Sequence, residues 1–305
     1  MSVPDQIDLR ICDSPVDVLP RFSGVYRFFA GGGELLYIGK SVDIHARVVS
    51  HFHAGSKPGR HQRIMSQVAR IDCEPTAGEF GALLLENAAI KAETPLYNRR
   101  QRQQRQLWTI ELNRDTTGFL KPTARDFAPS GARTHDSYGL FHNKKHIDST
   151  LRRHARDQGL CLLMLGLEKG RAPCFHYQLK RCDGACAGDE TAEEHNARLL
   201  SALDGDRIAA WPFPGPLLLR EHTLHPVDPQ PPEQFYWVNH WVYHGHFNSI
   251  NSAQRAADTE SRRRFDRDSY HLIMKALVRG QVEVLGLDGK PVSNPLLGVG
   301  RRRER

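Results

Sequence analysis

No stretch of this chain is apolar for long enough to cross a bilayer. The longest such run, Leu160 to Leu167, falls well short of the roughly 20 residues a spanning helix needs. A secretory leader is missing too, since Asp5, Asp8 and Asp13 stand where a basic and then apolar layout would lie. These two absences predict a cytoplasmic protein with no membrane partner. Cysteine is sparse: six in 305 residues excludes the disulfide framework of a small secreted domain. No internal repeat is visible, which excludes a solenoid or a propeller. Acidic residues are outnumbered, 35 Asp+Glu against 42 Lys+Arg, and the resulting +7 points toward a polyanionic partner such as nucleic acid.

What is present is a chain long enough for two or three domains, with 39% hydrophobic residues to pack them. Two β-rich runs, Val25 to Phe29 and Leu35 to Ile38, flank a glycine loop at Ala30 to Glu34 and predict a hairpin. Ser41 is placed to cap a following helix whose apolar residues Ile44, Val48 and Phe52 recur every four positions, with Arg47 and His51 on another stripe. A second helix is expected around Ile64 to Ala69 and a short strand at Arg70 to Glu74. A long helix follows Thr76 and ends before Pro95, with Phe80, Leu83, Leu84, Ala88 and Ile90 as its apolar stripe. An arginine-rich run separates this block from an alternating strand, Leu107 to Leu112. Beyond it lie a loop-rich stretch from Phe127 to Asn143, a helix from Ile147 to Leu167 interrupted near Gly159, a cysteine segment and a polar helix from Glu190 to Leu203. After a proline-rich linker, Phe235 to Tyr243 reads as one strand, Asp266 to Val278 as a helix and Gln281 to Leu287 as a last strand. The expected organisation is α+β: a loose leader over 1–18, a first domain over 19–100, a mostly helical cysteine-bearing region over 101–205, and a small α/β region over 206–305 with a basic tail.

Tyr26, Tyr37, Lys40, Arg47, His51, Glu86 and Asn98 form the first chemical constellation. Phosphodiester hydrolysis requires a deprotonated water, a cation at the scissile phosphate and stabilisation of the leaving oxygen, and this set can supply all three. Glu86, set in an apolar helix, suits one hydrated Mg²⁺ or Mn²⁺, which needs few protein ligands. Arg47 can fork onto non-bridging oxygens, and a tyrosine whose pKa is lowered by Lys40 can accept a proton. Taken singly, each residue has an ordinary explanation as a half-buried strand tyrosine or a solvated helix arginine. The joint pattern is what points to a nuclease.

Gly24-Val25-Tyr26 and Tyr37-Ile38-Gly39 resemble the two signature tripeptides of the GIY-YIG nuclease superfamily. Arg47, Glu86 in Leu-Leu-Leu-Glu-Asn and Asn98 in Pro-Leu-Tyr-Asn fall where the excision-repair UvrC family has its arginine, metal-binding glutamate and terminal asparagine. The resemblance implies a small antiparallel sheet flanked by helices for residues 19–100. It implies further that Tyr26 and Tyr37 handle the attacking water, Lys40 tunes a phenol, Arg47 holds the phosphate, Glu86 binds the metal and Asn98 completes the pocket. His51 departs from the tyrosine usual in that family; a histidine there can hydrogen-bond a phosphate or shuttle a proton. Arg99, Arg100, Arg102 and Arg105 lead directly out of Asn98 and are expected to contact DNA phosphates.

Cys161, Cys174, Cys182 and Cys186 follow the spacing C-x12-C-x7-C-x3-C. Thiolates so close in sequence suit a zinc or iron-sulfur site, the alternative being four ordinary thiols. The stretch from Cys174 to Gly188 is similar to the corresponding UvrC region, and that resemblance implies a [4Fe-4S] cluster, with Zn²⁺ as the alternative. Cys12 and Cys73 read as free thiols. His240, His244 and His246 lie in an aromatic strand with no acidic partner and read as packing residues rather than metal ligands.

The sequence shows no second nuclease domain of RNase H type, no helix-hairpin-helix module and no coiled-coil UvrB-binding segment, which is the arrangement of the short UvrC homologues. The resemblance therefore implies one incision, on the 3′ side of a lesion in double-stranded DNA marked by UvrA and UvrB, leaving 3′-hydroxyl and 5′-phosphate ends. Residues 206–305 are then a candidate UvrB-binding region. Two other readings stay open: a structure- or sequence-specific nuclease of the same superfamily acting without UvrB, and a non-catalytic DNA-binding scaffold held by a four-cysteine metal.

Overall fold

This computed structural model describes residues 6–8, 18–56, 58–98, 107–127, 137–208, 211–224, 226, 228–258 and 264–298. The chain forms two compact units, one made of Met1–Gln104 together with Phe213–Arg305, the other of Arg105–Pro212.

In the first unit, β1 (Gln6–Asp8), β2 (Gly24–Ala30), β3 (Leu35–Ser41) and β4 (Val68–Pro75) make an antiparallel sheet in the order β1-β4-β2-β3. The expected hairpin is present, with Tyr26 opposite Gly39 and Phe28 opposite Tyr37. Helix α1 (Ile44–Gly55) is capped by Asp43, whose carboxylate accepts from the Ala46 N–H at 3.0 Å. Ser41, the residue expected to cap it, is the last residue of β3, and its hydroxyl instead donates to the Asp43 carbonyl. Ile44 and Val48 pack under the sheet against Phe22, Tyr26, Phe28, Leu36 and Ile71. Helix α2 (Arg60–Met65) stops before Ala69, because Ile71 and Cys73 alternate inward on β4 and pull Val68 and Ala69 into that strand.

Helix α3 (Glu79–Glu93) ends where Thr94 adopts φ 48°, just ahead of Pro95. Its buried stripe is Leu84, Leu85, Ala89 and Ile90, joined by Phe80, Gly81 and Ala82, rather than one containing Leu83 and Ala88. The reason is that α3 has two partners. Leu85, Ala89 and Ile90 pack on Val25 and Ile38 of the first sheet, while its N-terminal turn meets a second sheet.

That second sheet has the order β10-β9-β8-β11 and comprises β8 (Leu217–His222), β9 (Glu233–Asn239), β10 (Val242–Phe247) and β11 (Glu283–Gly286). The aromatic run expected as one strand is split between β9 and β10 by a two-residue turn, His240 and Trp241, both left-handed at φ 46° and 65°. Trp241 is 2% exposed and sets its ring edge-on to Tyr270 of α8 (Arg267–Arg279). Helix α7 (Ile250–Ala257) packs on the same sheet.

No side chain of its own segment caps α3 at Gly78. The Glu221 carboxylate of β8 takes that place, accepting from the Phe80 and Gly81 N–H groups at 2.9 Å each. Gln234 Oε1 accepts from the Ala77 N–H at 3.1 Å and from the Tyr236 hydroxyl at 2.9 Å. A Cβ on Gly81 would sit 1.8 Å from the Tyr236 hydroxyl oxygen, so this approach admits only glycine. Further along α3, Asn87 donates to Ser269, and Lys91 pairs with Asp266 and, at 2.7 Å, with Asp268.

The second unit holds the sheet β6-β5-β7, built from β5 (Trp108–Arg114), β6 (Leu120–Asp126) and β7 (Ser137–Phe141). Helix α4 (Lys144–Gln158) ends at left-handed Gly159 and does not continue to Leu167; Leu160, Leu162 and Leu165 instead turn into the core with Ile147 and Leu151. A four-residue helix, α5 (Phe175–Gln178), lies between two of the cysteines, and α6 (Ala192–Leu203) opens with a Thr191/Glu194 capping box.

Candidate active site and thiol cluster

The β2–β3 hairpin and α1 bring Tyr26, Tyr37 and His51 together. The Tyr26 hydroxyl is 2.7 Å from His51 Nε2, and the ring centroids of Tyr26, Tyr37 and His51 are 5.7 to 6.2 Å apart. Phe28 packs against all three, and Tyr26 is fully buried. The glycine facing Tyr26 is a condition of this arrangement: a Cβ on Gly39 would lie 2.3 Å from the Tyr26 hydroxyl and 2.9 Å from the Tyr37 ring.

Burial dominates the electrostatics. It raises the Tyr26 pKa well above the ordinary phenol value, with Tyr37 adding to the rise and the charge and hydrogen bond of Arg47 opposing it. Tyr37 is likewise raised, first by burial and then by Glu86, against Arg47, Arg60 and its hydrogen bond with Tyr26. The expectation that Lys40 lowers a phenol is therefore corrected: neither phenol is lowered, and the Lys40 ammonium is engaged 2.6 Å from Glu79 Oε1. His51 is pulled down to about 4 by burial, then by Arg47 and His61. It is neutral at pH 7, and with its proton on Nδ1 its Nε2 accepts from Tyr26.

Arg47 is exposed on α1 and reaches the Tyr26 phenol from the open side. Glu86, on the face of α3 toward Lys40 and Arg47, has its pKa raised by burial against the Lys40 N–H and the charges of Lys40 and Arg47. Among the described residues no cation forms an ion pair with it. Asn98 is tied to the hairpin. Its Oδ1 accepts from the Ile38 N–H and its Nδ2 donates to the Ile38 carbonyl, both at 2.9 Å, so it pins the strand between Tyr37 and Gly39.

Two residues of α2 belong here that sequence reasoning passed over. Arg60 acts by charge on Tyr37 and donates to the Tyr97 carbonyl, and the His61 ring lies 5.5 Å from that of His51. The signal was the density of Arg60, His61 and Arg63 after Gly59, visible only as a basic loop until the helix folds it toward α1. Arg99, Arg100, Arg102 and Arg105 lie outside the described residues.

In the second unit the four cysteines converge. Cys174 Sγ lies 3.8 Å from Cys161 Sγ and 3.7 Å from Cys182 Sγ, and the sulfurs of Cys161, Cys174 and Cys186 lie within 4.8 Å of one another. Burial raises the Cys161 and Cys182 thiols and pushes Cys186 up to about 12. At Cys174 burial is outweighed by the Tyr177 N–H and the neighbouring thiols, which hold it below the ordinary value. Four sulfurs this close, three of them buried and Cys186 half-buried, offer the donor set of a soft cation, whose charge lets thiols deprotonate. Cys73 is buried and in no disulfide, and Cys12 lies outside the described residues. His244 stacks on Trp237 with centroids 4.3 Å apart, and His246 has an acidic neighbour that the sequence did not announce, Glu74 at 3.7 Å.

Three family profiles match the chain in order: a UvrC-like GIY-YIG domain over residues 22–99, the middle domain of UvrC/Cho excinucleases over 109–205, and an excinuclease Cho C-terminal domain over 216–291. The chain is 38% identical over 272 residues to excinuclease Cho of Salmonella typhi, covering 88% of this chain and 87% of that protein. It is 38% identical over 276 residues to excinuclease Cho of Escherichia coli K12, with the same coverage of 88% and 87%. To UvrABC system protein C of Nitrosomonas europaea it is 32% identical over 185 residues, 60% of this chain and 30% of that one. A solved GIY-YIG N-terminal endonuclease domain of UvrC from Thermotoga maritima, a point mutant bound to its catalytic divalent cation, is 25% identical and covers 30% of this chain and 97% of its own, with a TM-score of 0.26.

Proposed function

Because the chain belongs to the Cho excinuclease family, we propose that it makes the 3′ incision next to a DNA lesion marked by UvrA and UvrB. That it is an excinuclease with a GIY-YIG endonuclease domain follows from the family. The observation that carries the mechanistic reading is the buried hydrogen bond between Tyr26 and His51 at 2.7 Å.

With both phenols raised, a standing phenolate is not the base. The proton of the attacking water passes to the Tyr37 oxygen as the Tyr37 proton passes to its hydrogen-bonded neighbour Tyr26 and the Tyr26 proton to His51 Nε2, so the neutral imidazole is the terminal acceptor. Arg47, exposed and beside the phenols, forks onto the non-bridging oxygens of the phosphate. Glu86 is the residue that holds Mg²⁺ or Mn²⁺; a half-buried carboxylate with no ion-pair partner among the described residues fits a cation. Such an ion, when bound, offsets charge on the phosphate and acidifies water. Lys40, paired with Glu79, keeps positive charge over Glu86, and Asn98 fixes the strand that presents Tyr37. The products are 3′-hydroxyl and 5′-phosphate ends. Arg99, Arg100, Arg102 and Arg105 grip the DNA backbone as it leaves the site, a reading that rests on their place directly after Asn98.

We assign residues 19–100 to the nuclease, 101–205 to the cysteine-bearing region and 206–305 to the UvrB-binding part. No helix among the described residues is long and apolar enough to cross a membrane, and we place the protein in the cytoplasm. The four cysteines hold a soft metal centre. The Cys174-to-Gly188 pattern supports a [4Fe-4S] cluster, whereas sulfur contacts of 3.7 and 3.8 Å suit the edges of a tetrahedron around one Zn²⁺ with bonds of about 2.3 Å. Brown protein absorbing near 400 nm selects the cluster; colourless protein with one zinc per chain selects the ion.

The experiment is incision of a lesion-bearing duplex by purified protein, with and without UvrA and UvrB. Nicking 3′ to the lesion that needs UvrB is expected. Incision without UvrB would instead favour a structure- or sequence-specific nuclease, and no metal-dependent nicking under any condition would leave a DNA-binding scaffold.

A further inference from the structure

The sequence between Cys174 and Cys182 folds into a tip whose two sides differ. Cys174 and Tyr177 face the thiol cluster, and Tyr177 is tethered by its hydroxyl to Asp189. Phe175 and Leu179, four residues apart and so on one face, point away at 65% and 43% exposure. Single exposed apolar residues need no explanation, but this pair has a charged setting. From Lys169 to Cys182 the chain contains no carboxylate, and Lys169, Arg171, Lys180 and Arg181 are all exposed, none with an ion-pair partner among the described residues. Of the acids around it, Glu168 faces Arg152 and His176, Asp183 and Glu190 face Arg198, and Asp189 accepts from the Tyr177 hydroxyl.

An aromatic ring held out on a short, anchored turn and ringed by four unpaired cations complements a surface that is anionic outside and apolar between its layers. We propose that this tip is a duplex-DNA contact, in which Lys169, Arg171, Lys180 and Arg181 meet phosphates and Phe175, backed by Leu179, presses against a base step as an apolar wedge. The inference rests on the reading of the protein as a DNA nuclease and names a part of its DNA-binding surface outside the nuclease residues. The thiol cluster then serves to hold the wedge rigid.

The test is binding of full-length protein to a labelled duplex containing 2-aminopurine, with no Mg²⁺ or Mn²⁺ added so that no cutting occurs and no chelator that would strip the thiol centre, across a salt series. Phe175→Ala is expected to weaken binding roughly tenfold and to abolish a 2-aminopurine brightening that wild type produces by unstacking, while Phe175→Trp retains both. The pair Lys180→Ala and Arg181→Ala together is expected to lower the slope of log K against log salt by about 2. Circular dichroism and bound metal matching wild type show that each variant is folded. Unchanged binding by Phe175→Ala overturns the wedge even if the charge variant weakens, and tip-dependent capture of UvrB with unaltered DNA binding assigns the tip to a protein partner instead. Wild type is assayed for Mn²⁺-dependent nicking in parallel: nicking with normal binding by the tip variants sinks this proposal alone, and tip-dependent binding without nicking sinks the nuclease reading alone.

Discussion

The Tyr26 hydroxyl and His51 Nε2 are 2.7 Å apart in a pocket where both side chains are buried. A histidine here does what a third phenol cannot, since it is neutral and basic at once near pH 7. His51→Gln is expected to slow nicking roughly 10²- to 10⁴-fold with duplex binding unchanged. Because His51 is drawn down to about 4, the acid limb of the pH–rate profile should fall between pH 4 and 5. A limb near the ordinary value of 6.5 would remove His51 as the acceptor.

The same residue has a signed effect on stability. Burial, Arg47 and His61 depress its pKa from 6.5 to about 4, with the raised phenols of Tyr26 and Tyr37 facing it uncharged. Between those values the unfolded chain binds the extra proton, so stability falls as pH falls through the window and is complete above 6.5. Across the whole window the loss is roughly 3 kcal/mol. Thermal melts of wild type and His51→Gln from pH 7 to 4.5 should diverge at neutral pH and converge in acid.

Glu86→Gln keeps the shape of the side chain and removes its charge. Nicking should be lost at every Mg²⁺ or Mn²⁺ concentration while duplex affinity holds, whereas Arg47→Ala should lower kcat by a factor of about 100 or more with metal dependence unaltered. Metal titrations of single-turnover nicking separate the two, and full activity in Glu86→Gln would remove Glu86 as the metal ligand.

At the N-terminus of α3, Glu221→Ala leaves the Phe80 and Gly81 N–H groups short of a partner, while the Tyr236 hydroxyl keeps Gln234. The expected loss in urea denaturation is roughly 1–3 kcal/mol. Gly81→Ala should cost more, because its methyl would fall 1.8 Å from the Tyr236 oxygen. Gly81→Ala combined with Tyr236→Phe should recover part of that loss; no recovery would mean the crowding is not at the hydroxyl.

What the sequence announced was local. The hairpin, the glycine of each signature tripeptide, the polar helix ending at Leu203 and the cysteine segment all follow from residues close to one another in sequence. Strand β6 was hidden because, as an edge strand, it carries Pro122 and turns only Leu120 and the small Ala124 toward the core, a weak strand signal. The turn at His240 and Trp241 was hidden because neither residue advertises a left-handed backbone; burial of the Trp241 ring compels it. The site residues were legible as a set but not in their pairings. Lys40 turns to Glu79, Asn98 to Ile38, and Glu221 caps a helix from 141 positions away. Each of those choices is made by tertiary contact, which no periodicity encodes.

The sharing of one unit between the two ends of the chain has a consequence for synthesis. When Phe80 leaves the ribosome, the carboxylate that accepts from its amide is still 141 residues from being made, roughly 7–28 s away at usual elongation rates. The helix bearing Glu86 therefore waits for the last third of the protein before its first turn is complete. A chain released early, by a premature stop or a protease, would carry every residue of the nuclease signature and an unfinished helix beneath it.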